Sequence, residues 1–209
     1  MTEPDDLDPR AAAELIQQAT RTARRSLTFR APLVYASWGV AWLVGLGAMW
    51  LSVRGQSHYS GPSAGPAILF GVLIVLAIAA TMASVIQASR GISGQAEAQG
   101  RIFGFSWLIG FAAWFAINAA LSVAGAGEDV LGVAGTAGPL LVTSLLYLAG
   151  AGIWLDWPMF VMGLWLALVT AVAVFTGPVG VLLVAAAAGG GGFLLMAGYL
   201  SWRGHREPA

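Results

Sequence analysis

Residues 32–53 read PLVYASWGVAWLVGLGAMWLSV, an apolar run without a single charge. As a helix this run is roughly 30 Å long, which matches the hydrocarbon core of a bilayer. Five similar runs follow it. The whole chain of 209 residues is 58% hydrophobic and only 10% charged. A typical soluble domain carries about 25% charged residues, so a single water-soluble core is excluded. The expected fold is all-α: a polytopic transmembrane bundle of six helices preceded by a cytoplasmic amphipathic interfacial helix.

Expected boundaries follow from the apolar runs and the polar breaks between them. Residues 1–31 form an acidic tail and the amphipathic helix. The six-helix domain covers 32–202, with spans at about 32–53, 66–88, 102–124, 139–155, 159–175 and 179–202. Residues 203–209 form a polar tail. Asp8-Pro9 reads as a helix start, with Asp8 as cap and Pro9 at the first helical position. In the helix that follows, Ala12, Leu15, Ile16, Ala19, Ala23 and Leu27 share one face, opposite Arg10, Glu14, Gln17, Gln18, Arg21, Arg24 and Arg25. That pattern suits a helix lying on a membrane surface, or one packed on protein through its alanines. No small-residue cleavage site accompanies the first apolar run, so it is expected to stay as an anchor.

Arginine sets the expected orientation. Arg10, Arg21, Arg24, Arg25 and Arg30 precede the first span. Arg90 and Arg101 lie in the 89–101 segment, and Arg203 and Arg206 follow the last span. With six spans all nine share one side, and only Arg54 lies opposite. Basic flanks remain cytoplasmic. Both termini are therefore expected in the cytoplasm of a bacterial cell, with the chain in its inner membrane. The 54–65 and 125–138 loops then face outward. Trp50, Trp154, Trp157 and Trp202 fall near the expected interfaces, where indole rings prefer to sit.

An internal repeat of three hairpins is suggested by Gly65-Pro66, Gly138-Pro139 and Gly177-Pro178 at the starts of the even spans. The odd spans carry tryptophan, with Ser37-Trp38 echoed by Ser106-Trp107. Gly-Pro is also an ordinary way to start a helix.

Chemistry is sparse. Net formal charge is zero and there is no cysteine, which removes a basic nucleic-acid face, disulfides and thiolate chemistry. His58 and His205 are expected on opposite sides of the membrane and share neither a metal nor a dyad. No ionisable residue falls inside an expected span, which argues against ion coupling through buried carboxylates. Asp156 lies in a turn and reads as a helix cap; Glu128 and Asp129 read as an exposed turn. No catalytic, cofactor or metal residues are assigned, and no nucleic-acid partner.

Two groups remain as candidates. Asn118, Thr143, Ser144 and Thr170 fall at similar depth, in the outer third of the bilayer, with Tyr147 near the middle of its span. They either line a polar cavity or join helices by hydrogen bonds. Gly189, Gly190, Gly191 and Gly192 follow four alanines within the last span. They serve either close helix packing or a hinge.

The run YASWGVAWLVGL (35–46), with LYLAGAGIW (146–154) and AGGGGFL (188–194), resembles a group of small actinobacterial membrane proteins labelled only as membrane or transporter-like. That resemblance implies no site residues. The plan of an amphipathic helix and six spans is also similar to the permease subunit of ATP-binding-cassette exporters. That likeness implies a separate cytoplasmic ATPase, docked here on Ser89–Arg101. The expected role is a non-enzymatic accessory or interaction subunit bound to the lipid bilayer and to a membrane partner. The alternative is a transporter component working with an ATPase.

Overall fold

The computed structural model describes residues 9–88 and 94–206, with the backbone alone for 9–30. Its elements are α1 (Pro9–Val53), α2 (Ala64–Ala88), α3 (Gln95–Val123), α4 (Glu128–Trp154) and α5 (Trp157–Ala173). A 3-10 turn (Val174–Thr176) leads into α6 (Gly177–Val184), a π-helix (Ala185–Gly190) and α7 (Gly191–Arg206). Every regular element among the described residues is helical. Five stretches are long and apolar enough to cross a bilayer: Ala31–Val53, Ala64–Ala88, Gln95–Val123, Glu128–Trp154 and Trp157–Arg206. Their length and hydropathy are those of a multi-pass membrane protein, in which helices satisfy the backbone without water.

The last stretch is not one straight rod. Trp165 Nε1 donates to the Ala188 carbonyl at 2.9 Å. In a continuous helix those residues would stand about 34 Å apart. The chain therefore folds back at Gly177, whose φ of 73° is open to glycine at little cost. Three antiparallel hairpins result: α1 with α2, α3 with α4, and α5 with the α6–π–α7 arm. The α6–π–α7 arm packs on α1 and on α4 and α5. Among the described residues the backbone of α2 comes close to α1 alone, and that of α3 to α4 alone. The first-hairpin connection, the α3–α4 connection and the Gly177 turn share one end of the bundle, the Gly177 end. The α4–α5 turn marks the other, the Asp156 end.

Several expected boundaries are corrected. Helix α1 runs unbroken from Pro9 to Val53 with Pro32 inside it, so the separate N-terminal helix and first span are one element. Pro9 is the first described residue of this helix; Asp8, the acidic tail 1–8 and the side chains of the 10–27 stripe lie outside the described residues. Helix α3 begins at Gln95, so 95–101 is helix; residues 89–93 of that expected coupling segment lie outside the described residues. Helix α4 begins at Glu128, eleven residues before the expected start at 139. Glu128 and Asp129 occupy its first turn, where carboxylates favour the positive end of the helix dipole. Pro139 is absorbed in the interior, as membrane helices tolerate when neighbours cover the freed backbone. The Gly-Pro repeat fails at this middle member, since Gly138-Pro139 opens nothing.

The α4–α5 turn holds as expected. Asp156 caps α5 by accepting from Met159 N at 2.7 Å. The turn is so short that Leu155 takes φ 52°, a conformation costing a branched-chain residue about 1 kcal/mol. Trp154, Trp157 and Trp202 are exposed at this same end.

Candidate functional site

Helix α4 contributes most of the candidate polar residues. Thr143 and Ser144 lie just past its midpoint, and Tyr147 lies toward the Asp156 end. Thr143, Ser144 and Thr170 are the buried polar residues among those described. Each hydroxyl is spent on a helix carbonyl. Thr143 donates to Pro139 O at 2.8 Å, and Thr170 to Leu166 O at 2.7 Å. Ser144 is the one that joins helices, donating to Gly163 O on α5 at 2.8 Å. Such bonds in membrane bundles contribute about 0.6 kcal/mol on average.

The five candidates do not converge on one cavity. Asn118 faces α4 beside Gly135, and its Nδ2 is the buried side-chain atom left without a partner among the described residues. Thr170 lines an open groove of about 550 Å³ with Trp114, Asp129, Ala137, Gly138 and Gly177. Apart from Asp129 and Thr170, the groove is lined by apolar residues. Tyr147 belongs to a set of rings. Its centroid is 6.0 Å from Tyr35, 5.8 Å from Phe193 and 6.0 Å from Trp107. Tyr35 and Phe193 are themselves 6.0 Å apart, and Trp42 is 5.3 Å from Phe193. Rings this close, mostly edge to face, leave no room for a ligand between them. Each pair contributes about 0.5–1.5 kcal/mol beyond its buried area. The set ties α1, α3, α4 and α7 together near the Asp156 end.

The glycine run divides by position. A Cβ on Gly190 would lie 2.6 Å from Leu43 N, and one on Gly189 3.0 Å from the Trp42 ring. One on Gly192 would strike the Trp165 indole, while Gly191 has nothing within 4 Å. The π-helix ends within this run. Its wider turn disturbs the regular carbonyl ladder, and Trp165 takes one of its carbonyls, at Ala188.

Sequence reasoning missed the partners of three indoles, one per hairpin. Trp38 donates from Nε1 to Thr81 Oγ1 at 3.0 Å across α1 and α2. Trp107 meets the Tyr147 ring across α3 and α4. Trp165 bonds Ala188 across the third hairpin. The tryptophan pattern of the odd spans was the signal for them. Tyr59 was missed as well. It lies in the 54–63 connection, yet its ring sits against Gly132 of α4, where an added Cβ would be 2.5 Å from Cε1. Burial first, then the nearby Glu128 and Asp129 carboxylates, push its pKa up, so its hydroxyl stays protonated.

No groups of His, Cys, Asp and Glu placed to hold a metal occur among the described residues. No known protein family, curated protein or solved structure matches this chain.

Proposed function

We propose that this chain is a non-enzymatic, multi-pass protein of a bacterial inner membrane, crossing it six times and acting as an accessory or interaction subunit. The fold-back at Gly177 supports counting the last stretch as two crossings. The arginine distribution supports placing both termini in the cytoplasm. One observation carries the role. Thr143, Ser144 and Thr170, the buried polar residues among those described, each donate a hydroxyl to a helix carbonyl, while the buried Asn118 Nδ2 has no partner. The interior thus supplies cohesion, with no proton or ion relay among these buried groups.

A second reading is a permease-like transporter component with a separate cytoplasmic ATPase. The π-helix of Ala185–Gly190 favours it, because such segments mark places where a helix changes register. Recovery of the tagged full chain from mild detergent separates the two. The accessory reading predicts a stoichiometric membrane or envelope partner and no nucleotide hydrolysis in the complex. A stoichiometric ATPase with nucleotide-dependent solute flux in vesicles would replace it with the transport reading.

A further inference from the structure

Two open grooves border the α6–π–α7 arm. The one holding Thr170 carries the Asp129 carboxylate. The other, of about 430 Å³, lies between α1 and the arm. Leu43, Gly47, Ala48 and Leu51 line its α1 side, and Leu183 and Ala187 the side of the arm. None of its lining residues is charged. Small residues open it: a Cβ on Gly47 would meet nothing within 4 Å.

This second groove has a cation at one end. At 100° per residue Leu43, Gly47, Trp50 and Arg54 fall within an arc of about 60° on α1. Arg54 N donates to Trp50 O at 3.0 Å, so the stripe continues past the end of the helix. From Leu43 to Arg54 it rises about 16 Å, half of a hydrocarbon core about 30 Å thick. The stripe therefore covers one leaflet, with its charged end at headgroup depth. Trp50 lines the groove, and the Arg54 guanidinium stands 5.3 Å from the centroid of its ring. Arg54 is exposed, and among the described residues no carboxylate pairs with it. Its planar fork of N–H donors is left to match a phosphate. Charge thus separates the two grooves, since Asp129 repels an anion and Arg54 draws one.

We propose that the groove between α1 and the π-helix arm is a phospholipid site, with one acyl chain in the recess and the lipid phosphate on Arg54. A lipid beside a smooth helix slides freely; here the recess holds the chain and the guanidinium fixes the head. Basic side chains at the ends of apolar grooves between membrane helices bind lipid head groups in this way. The site serves the chain whether it acts as an accessory subunit or as a transporter component.

The full chain, stripped of lipid in mild detergent, is titrated with phosphatidylglycerol or with diacylglycerol carrying the same acyl chains. Bound lipid is counted by native mass spectrometry. One phosphatidylglycerol is expected to bind about tenfold or more tighter than diacylglycerol, and Arg54→Gln should erase that difference. Gly47→Leu fills the recess without meeting protein, so it should weaken both lipids while the lipid-free Tm stays at or above the parent's. Ala187→Leu, from the other wall, should weaken both lipids too. Arg206→Gln removes the other arginine over a tryptophan, 4.1 Å from the Trp202 ring, and should bind as the parent does. No preference for phosphatidylglycerol in the parent, or the parent's preference kept in Arg54→Gln, would overturn the site. So would parent-like binding in either groove-filling variant, which would leave only annular lipid. An equal loss in Arg206→Gln would reduce the effect to surface charge and overturn it as well.

Discussion

Two neighbouring glycines offer a test of the packing at single-methyl resolution. At Gly190 an added Cβ stands 2.6 Å from Leu43 N, 3.0 Å from Leu43 Cα and 3.1 Å from Gly39 O. All three atoms are backbone of α1 and cannot rotate aside. Optimal separations are about 3.5 Å or more, so α1 must retreat by nearly 1 Å along this seam. Overpacking of this kind costs about 1–3 kcal/mol, against which alanine's helix preference returns about 1 kcal/mol. At Gly191 nothing lies within 4 Å, so only the favourable part acts. Gly190→Ala is therefore expected to be less stable than Gly191→Ala by about 1–3 kcal/mol. For a chain of this size each kcal/mol corresponds to about 2–4 °C in Tm. Thermal melts of parent, Gly190→Ala and Gly191→Ala, followed by circular dichroism in one detergent, read the difference directly. If Gly190→Ala melts at or above Gly191→Ala, the close approach of α1 and the π-helix arm is wrong.

Three further outcomes follow from named contacts. Ser144→Ala removes the hydrogen bond between α4 and α5 and should lower stability by about 0.6 kcal/mol, read as a small drop in Tm. Asp156→Ala should cost about 1 kcal/mol by uncapping α5, and Asp156→Asn should keep most of it, since an amide oxygen also accepts from Met159 N. Trp165→Phe removes the indole donor to the Ala188 carbonyl, which keeps the Gly191 N–H; a loss of about 0.5–1.5 kcal/mol is expected, with faster amide exchange confined to 185–192.

The crossing helices were legible because 18 or more apolar residues in a row have few other fates. Their ends were less so. Glu128 and Asp129 look like loop residues in sequence, yet they start α4, because a helix N-terminus welcomes carboxylates. Pro139 looks like a start and lies in the interior.

The partners of the candidate polar residues were not legible, for a different reason. Sequence fixes how deep a residue lies along a span but not which neighbour its side chain meets. Thr143, Ser144 and Thr170 turned to three separate carbonyls. The glycine run was visible as an anomaly, but Gly190 and Gly191 differ only through α1, more than 140 residues earlier in the chain. Tyr59 carried no signal, since a tyrosine in a polar loop is ordinary until Gly132 is placed beneath it.

Labelling of Thr176 addresses the arrangement most directly. This residue is exposed at the tip of the last hairpin. With a membrane-impermeant maleimide on intact cells, Thr176→Cys should label from outside, while Gly204→Cys should label only after the membrane is opened. A silent Thr176→Cys, or a Gly204→Cys that labels on intact cells, would contradict six crossings with the C-terminus in the cytoplasm.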